Sequence, residues 1–175
     1  MKISIIGYTG AGKSTLAKKL KDIYDIEVMH LDRVNFIANW KERNLNEAEE
    51  IVNNFMQKDN WIIEGNYQKL KQDKRFELSD KIIFLNFPVH VCLPRAFSRF
   101  WQNRGRVRDD AGENCNEKFD LSFFWWIVYE GRTKTYKDRY QAIINKYQDK
   151  TIILNNQREV DEYLANLKRG KLANL

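Results

Sequence analysis

The chain has 175 residues, of which 43% are hydrophobic and 31% charged, and its formal net charge is +6. This composition excludes intrinsic disorder and suits one compact domain over residues 1–175, and the moderate positive charge favours an anionic partner such as nucleotide phosphates or nucleic acid. Because the two cysteines, Cys92 and Cys115, form no disulfide framework and no apolar run approaches the ~20 residues of a membrane helix, we expect a cytoplasmic protein without a membrane segment.

Strand-like and helix-like patterns alternate along the chain. Short apolar runs predict five strands, at residues 3–6, 27–31, 61–64, 81–85 and 150–154. Helical periodicity predicts five helices, at residues 14–24, 46–58, 89–103, 121–147 and 159–167. We expect Pro94 to kink its helix or delay the start, Gly131 to be a weak point, and the tail from residue 169 to fray.

The alternation predicts one architecture, a five-stranded parallel sheet with helices on both faces, which is a three-layer α/β/α fold. Ligands of such sheets bind at the carboxyl ends of the strands. The residues at those ends, and therefore those expected around the binding site, are Gly7, Asp32, Glu64, Pro88 and Asn155.

Residues 7–14 read Gly-Tyr-Thr-Gly-Ala-Gly-Lys-Ser and match the phosphate-loop pattern G-x-x-x-x-G-K-[ST] at every fixed position. Glycines let the backbone approach phosphates closely, and the N–H groups at a helix start favour anions. Lys13 is expected to reach the β and γ phosphates and Ser14 to ligate Mg²⁺, so the motif predicts ATP and Mg²⁺ as cofactors. The residues expected to bind the nucleotide here are Gly7, Thr9, Gly10, Ala11, Gly12, Lys13, Ser14 and Thr15.

Other classes of phosphate-loop protein fit the sequence less well. A GTPase needs a guanine-reading N-K-x-D signature, but Asn145-Lys146 is followed by Tyr147-Gln148. The chain is also small for a motor or a helicase, and its sequence suggests no second domain that would transmit a movement. These observations leave a small kinase as the favoured class.

Several segments together resemble a known family. They are residues 7–15, His30-Leu31-Asp32, Trp61 to Tyr67, Ile82 to Pro88 and Glu117 to Asp120. From residue 1 to about residue 164 the chain is similar to the adenylate-kinase-related DNA topology modulation (FlaR-like) proteins. The resemblance implies a P-loop kinase fold with ATP binding, for which the family supplies no well-defined substrate. The family usually carries Asp where this chain has Glu64 and Asn86, so Asn86 is assigned no catalytic role.

Two carboxylates are candidates for the chemistry. In similar kinases a carboxylate at the position of Asp32 contacts the acceptor hydroxyl, and one at the position of Glu64 holds Mg²⁺ through water. The alternatives are a helix or turn cap for Asp32 and a solvent-facing strand end for Glu64. His30 is expected to be a packed or hydrogen-bonded strand residue. Gly65 and Asn66 either line an acceptor pocket or belong to an ordinary loop.

A run of arginines follows the fourth strand: Arg95, Arg99, Arg104, Arg106 and Arg108. A transferring phosphoryl group needs such donors, so we predict a small helical lid at about residues 102–116, with Arg104 and Arg106 as catalytic residues. Related kinases also place a phosphate-binding arginine on the next helix, where this chain has Arg132 and Arg139, and Arg132 is the one assigned a catalytic role. The alternative for the whole run is a solvated basic face.

Two later segments each have two interpretations. The loop after the fifth strand packs against the nucleobase in this fold, so Asn156 and Arg158 are predicted to contact the nucleotide, with an ordinary helix cap as the alternative. The aromatic stretch at residues 123–129, which includes Trp125 and Trp126, is predicted to pack in the core. Its alternative is a stacking platform for a nucleobase.

The function that these patterns predict is phosphoryl transfer from Mg·ATP to a small-molecule acceptor such as a nucleoside or nucleotide. The alternative is a nucleic-acid-binding protein with a regulatory P-loop, which the basic charge and the family name favour. The arginines cluster where phosphoryl transfer needs them, and no helix-turn-helix pattern is apparent, so the kinase is preferred. The sequence identifies neither the acceptor nor the oligomeric state.

Overall fold

The computed structural model describes residues 1–105, 112, 115 and 119–172. Most of the predicted lid therefore lies outside the described residues, and so do Arg106 and Arg108. Within the described part, no helix is long and apolar enough to cross a membrane.

The described residues form seven strands: β1 (Lys2–Gly7), β2 (Val28–His30), β3 (Phe36–Ile37), β4 (Lys41–Glu42), β5 (Trp61–Glu64), β6 (Lys81–Leu85) and β7 (Thr151–Leu154). Five of them make one parallel sheet in the order β2-β5-β1-β6-β7. The short strands β3 and β4 pair antiparallel as a separate hairpin. The predicted parallel sheet of five strands is confirmed.

Eight α-helices connect and cover these strands within the same residues: α1 (Lys13–Tyr24), α2 (Leu31–Asn35), α3 (Leu45–Met56), α4 (Gln72–Leu78), α5 (Val89–Gln102), α6 (Leu121–Val128), α7 (Lys134–Lys146) and α8 (Gln157–Leu172). Single 3-10 turns lie at Ala38–Trp40 and Glu130–Arg132. The second turn interrupts the predicted helix 121–147 at Gly131, as expected.

The core consists of two buried clusters, which at β5 lie on opposite faces of the sheet. Alternate side chains of a strand point to opposite faces. In β5, Ile62 packs with α1, α5 and α8 in one buried cluster, whereas Trp61 and Ile63 pack with α2 and α3 in the other. All four β5 residues are buried, as expected for a strand that helices cover on both sides. The three-layer α/β/α prediction is confirmed.

Several boundaries differ from the sequence prediction. The second strand ends at His30 because α2 begins at Leu31. No sequence pattern indicated α2, α4 or the β3–β4 hairpin. Helix α5 begins at Val89 and continues past Pro94, so a delayed start is wrong; proline removes a single i−4 hydrogen bond there. Helix α8 extends to Leu172, past the predicted helix end at residue 167.

Candidate active site

A cavity of about 1180 Å³ opens at the carboxyl end of the parallel sheet. Its walls come from the loop after β1, the segments after β2 and β5, helices α5, α6 and α7, and the start of α8. Sites for one small ligand usually measure about 300–1,000 Å³. The cavity therefore has room for two substrates side by side.

The loop between β1 and α1 forms one wall of the cavity. Gly10 has φ 82°, and a Cβ there would lie 2.4 Å from the carbonyl oxygen of Cys92, so only glycine fits against α5. Gly12 is left-handed at the N-cap of α1, and no side chain caps that helix start. The first-turn amides of α1 therefore keep their hydrogen-bonding capacity for an anion.

Three polar side chains meet beside this loop. The Ser14 hydroxyl donates to Glu64 Oε2 at 3.2 Å, and His30 Nδ1 lies 3.0 Å from the same oxygen. Glu64 is only 6% exposed, which excludes a solvent-facing strand end. Lys13 Nζ donates to the carbonyl oxygen of Tyr8 at 3.2 Å. His30 is the hydrogen-bonded strand residue that we expected.

The oxygen donors at this point suit a hard cation. In the described part of the chain, no group of three or more His, Cys, Asp or Glu side chains gathers as a metal centre. Mg²⁺ does not require one, because it usually takes one or two protein ligands and completes its shell with water and phosphate oxygens. The Ser14 hydroxyl and the Glu64 carboxylate, 3.2 Å apart, fit that mode of binding.

Asp32 borders the cavity from the segment after β2. It is the second residue of α2, not its N-cap, and its Oδ1 accepts a hydrogen bond from the Tyr67 hydroxyl at 2.7 Å. Burial, and then the Asp32 carboxylate, raise the pKa of Tyr67 strongly, so the phenol stays protonated and keeps donating. Phe36 packs edge-on against Tyr67 and against Trp40, with ring centroids 6.3 and 5.3 Å apart. An aromatic wall therefore stands next to this carboxylate.

Asn66 joins the β5–α4 loop, residues 65–71, to the phosphate loop. Its Oδ1 accepts from the Gly7 amide at 3.0 Å, and its Nδ2 donates to the Gly7 carbonyl at 2.7 Å. Gly65 has φ 136°, and a Cβ there would lie 2.8 Å from Leu31 Cβ. The loop thus leaves β5 in a conformation that requires glycine and brings the Asn66 amide to the start of the phosphate loop.

A buried arginine holds the β5–α4 loop through hydrogen bonds to the loop's carbonyl groups. Arg75 on α4 is fully buried and donates to the carbonyl oxygens of Leu70, Gly65 and Tyr67 at 2.9, 3.4 and 2.8 Å. Burial, and then the nearby charge of Arg139, lower the pKa of Arg75 to about 9. Nothing in the sequence marked this residue, because an arginine inside a short helix is usually exposed.

The arginines of the predicted lid separate into groups. Arg95 and Arg99 on α5 border the cavity, and Arg95 donates to Gln157 Oε1 at 3.0 Å. Arg104 is exposed and does not border it. Arg106 lies outside the described residues.

The two arginines after α6 also differ. Arg132 donates to the carbonyl oxygens of Ile127 and Phe87 at 3.1 and 3.0 Å and lies 3.9 Å over the Tyr8 ring. It does not line the cavity, whereas Arg139 does. Arg132 therefore contacts the Tyr8 ring of the phosphate loop from outside the cavity. This differs from the direct substrate contact that was predicted for it from the sequence.

The predicted nucleobase contacts also fall beside the cavity, not in it. Asn156 donates to Glu159 at 2.7 Å, and Arg158, which is 87% exposed, donates to Glu162 at 2.7 Å. Gln157 and Val160 line the cavity instead. These two are three residues apart and share one face of α8, while Arg158 lies on another face. Asn156 precedes the helix and accepts from the Glu159 amide at 3.0 Å. The structure does not bring the two predicted residues to the site.

The prediction that the aromatic stretch packs in the core is wrong for most of it. Within α6 only Ile127 is buried, and Trp125 is 51% exposed. Trp126 lines the cavity, donates from Nε1 to the Thr9 hydroxyl at 3.3 Å, and meets Tyr136 edge-on. The reason is that α6 borders the cavity with one face, while the residues on its other face are exposed.

Two described residues of the predicted lid segment contact the β3–β4 hairpin. Cys115 is fully buried, donates to the carbonyl oxygen of Ile37 at 3.2 Å and accepts from the Trp40 amide at 3.3 Å. Gly112 packs so closely that a Cβ there would lie 2.6 Å from the Phe36 carbonyl oxygen. These contacts place Gly112 and Cys115 beside the aromatic wall of the cavity.

No protein-family model matches this chain, and no curated protein matches it. Among solved structures, it is similar to deoxyadenosine kinase from M. mycoides with its products dCMP and a flexible dCDP bound, at 14% identity and a TM-score of 0.52 over all of both chains. It is also similar to shikimate kinase from Acinetobacter baumannii in complex with shikimate, at 14% identity and a TM-score of 0.51, over 99% of this chain and 93% of that one.

These similarities show the fold. The five-stranded parallel sheet flanked by helices is the α/β fold that these two kinases share, which confirms the predicted α/β/α fold class. The comparisons do not show the resemblance to the DNA topology modulation proteins, and they leave the acceptor open.

The link between Asn66 and Gly7 gives a first testable prediction. Asn66→Asp keeps the side-chain shape, removes the donor to the Gly7 carbonyl and sets a negative oxygen against it. We expect a loss of about 1–3 kcal/mol in the free energy of unfolding, measured in urea. Asn54→Asp, the same exchange on the exposed surface of α3, should change it by no more than about 0.5 kcal/mol. Equal losses in the two variants would show that the Asn66–Gly7 link contributes nothing.

Proposed function

We propose that this protein is a kinase that transfers the γ-phosphoryl group of Mg·ATP to a hydroxyl group of a small-molecule acceptor. The observation that carries the proposal is that the phosphate loop, the Ser14–Glu64 pair and Asp32 border one cavity. A phosphate-binding loop alone would support binding or regulation. A carboxylate in the segment after β2 that borders the same cavity supports transfer to a second substrate.

The donor side of the cavity suits a nucleoside triphosphate. The amides of residues 10–15 and the Lys13 ammonium would hold the phosphates, with Lys13 exchanging its bond to the Tyr8 carbonyl for phosphate oxygens. Arg95 lies over the Phe87 ring, 5.0 Å from its centroid, and holds Gln157 at the rim. Arg95 and Gln157 border the cavity and would form the wall on which the nucleoside part rests.

Ser14 and Glu64 would hold Mg²⁺. The bound ion would neutralise the phosphate charge that opposes transfer. His30 keeps the Glu64 carboxylate turned toward Ser14 through its 3.0 Å contact with Oε2. The Ser14 hydroxyl and the Glu64 carboxylate therefore lie beside the phosphate loop as two oxygen ligands for the ion.

Asp32 would orient the acceptor hydroxyl and take up its proton. In the transfer, the acceptor oxygen forms a bond to the γ phosphorus, and the bond from that phosphorus to the bridging oxygen of ADP breaks. Tyr67 fixes Asp32 by donating to Oδ1 at 2.7 Å, so the second carboxylate oxygen keeps a defined direction. Positioning of this kind supplies most of the catalysis in phosphoryl transfer.

The arginines near the cavity would stabilise the charge on the transferring group. Arg95 and Arg99 already border it. We extend the proposal to a lid at residues 102–116 that starts where α5 ends, with Arg104 and Arg106 carried over the phosphates on closure. The position of Arg95 and Arg99 at a cavity favours phosphoryl transfer over the binding of nucleic acid on an open surface.

A screen for ADP release tests the proposed function directly. The full chain with Mg·ATP is offered nucleosides, nucleotides and hydroxylated metabolites one at a time, and we expect ADP to form only with a matching acceptor. Lys13→Ala should abolish that release and tight ATP binding in calorimetry, whereas Lys168→Ala on the exposed face of α8 should change neither. Acceptor-independent ADP release, or full activity of Lys13→Ala, would contradict the kinase proposal.

A second prediction concerns the metal pair. Glu64→Gln keeps the shape of the side chain and removes its charge, so we expect turnover to fall by about 100-fold or more while ATP affinity changes little. The control is Glu27→Gln, which removes a carboxylate that pairs with Lys58 on the surface. Normal turnover of Glu64→Gln at low Mg²⁺ would rule out Glu64 as a metal-site residue.

A further inference from the structure

The phosphate loop is rich in glycine, with three glycines in residues 7–12. Such a backbone can adopt many conformations, and ordering it when a ligand binds costs entropy. A loop that keeps one shape therefore needs contacts from other parts of the chain. Asn66 supplies such contacts at Gly7. The next two residues, Tyr8 and Thr9, are held by a different segment.

The Tyr8 ring lies in a contact with a cation. The Arg132 guanidinium is 3.9 Å from the centroid of that ring. The rings of Tyr140 and Phe84 pack against the same side chain, with centroid distances of 5.3 and 6.0 Å. Tyr8 is only 8% exposed, and cation–π contacts strengthen when water is excluded. The Tyr8 side chain is therefore fixed by Arg132 together with two aromatic rings.

Three hydrogen bonds meet at the Tyr8 backbone. Its amide donates to the Leu85 carbonyl at 3.3 Å, and its carbonyl oxygen accepts from the Ala11 amide at 3.1 Å. The same carbonyl oxygen accepts from Lys13 Nζ at 3.2 Å. A displacement of Tyr8 would therefore move the turn that contains Ala11 and the position at which the Lys13 ammonium rests.

Arg132 is itself fixed at two further points. Its Nε donates to the Ile127 carbonyl at 3.1 Å, and its Nη2 donates to the Phe87 carbonyl at 3.0 Å. The first acceptor lies in α6 and the second in the β6–α5 connection. One guanidinium thus joins both elements to the Tyr8 ring. An ammonium group lacks the planar fork that can bond two carbonyls and lie over a ring at the same time.

A second contact from the same segment reaches the next residue of the loop. Trp126 Nε1 donates to the Thr9 hydroxyl at 3.3 Å. Gly131 packs closely against this tryptophan, since a Cβ there would lie 3.0 Å from the Trp126 carbonyl oxygen and 3.3 Å from Nε1. Two consecutive residues of the phosphate loop are therefore held by one segment, residues 126–132.

We propose that Arg132 is a positioning residue for the nucleotide, which holds the phosphate loop in its binding shape through the Tyr8 ring and does not itself contact the phosphates. Arg132 does not border the cavity, whereas Tyr8 and Thr9 do. A loop already in its bound shape loses less conformational freedom when the ligand arrives, so loss of this contact should weaken ATP binding. The inference rests on the proposed binding of Mg·ATP in the kinase function.

A double-mutant cycle tests the inference, with calorimetry of the full chain, Mg²⁺ and a non-hydrolysable ATP analogue. Arg132→Met and Tyr8→Leu each remove one side of the contact, and each should weaken binding by about 10-fold. The double variant should bind at most about twofold more weakly than the weaker single variant, because both changes remove the same contact. Tyr8→Phe keeps the ring and should stay within about twofold of the unmodified protein.

A third variant separates positioning from direct contact with the phosphates. Arg132→Lys keeps the charge but loses the fork, so we expect it to weaken binding nearly as much as Arg132→Met. A side chain that acts by its charge on a phosphate would be replaced well by lysine. Lys137→Met, the same loss of charge at an exposed position of α7, should change the affinity by no more than about twofold.

Unfolding in urea is measured for each variant. A merely structural role of Arg132 would lower the free energy of unfolding and leave the affinity of the folded protein unchanged. If Arg132→Met does not fold, Arg132→Lys takes its place in the cycle.

The inference is overturned by unchanged affinity in Arg132→Met or Tyr8→Leu, by losses that multiply in the double variant, or by nearly full affinity in Arg132→Lys. The kinase function fails separately. If the cycle shows the expected coupling but no acceptor yields ADP with Mg·ATP, the role of Arg132 in nucleotide binding stands and the proposed reaction does not.

Discussion

The pair of hydrogen bonds between the Asn66 amide and the Gly7 backbone fixes the geometry on which the rest of the site depends. Gly7 ends β1 and Asn66 follows β5, and these strands are neighbours in the sheet. Neighbouring strands lie about 4.8 Å apart, so the loops that follow them emerge side by side. The link joins the start of the phosphate loop to the segment that carries Tyr67. Through Tyr67 it also sets the position of Asp32.

Several features of the site around this link cost stability. A buried arginine holds the β5–α4 loop through neutral oxygens alone, and Gly65 and Gly10 occupy positions where a side chain would collide with Leu31 or with the backbone at Cys92. The central sheet offsets these costs with strands that are buried on both faces. Strain and uncompensated charge of this kind concentrate where proteins bind ligands.

Local patterns predicted the sheet and the positions near strand ends, but not the contacts between distant segments. The motif and the strand-end rule brought Ser14, Glu64 and Asp32 to one place, because both depend on short stretches of sequence. Trp126 reaches Thr9 across 117 residues, and a helical aromatic run does not reveal which face lacks a covering sheet. The predicted Asn156 immediately precedes α8, whose first residue, Gln157, lines the cavity. Which residue of a helix faces the cavity, to within one position, is decided by tertiary packing and not by the local sequence.

Hydrogen exchange with and without Mg·ATP tests most directly whether the phosphate loop and the β5–α4 loop respond as one unit. Because Asn66 bonds to both backbone groups of Gly7, nucleotide binding should slow exchange at residues 8–15 and at residues 65–70 together, although only the first segment is expected to touch the phosphates. The exposed residues 57–60 of the α3–β5 connection should be unaffected. Protection confined to residues 8–15 would contradict the coupling of donor and acceptor sides.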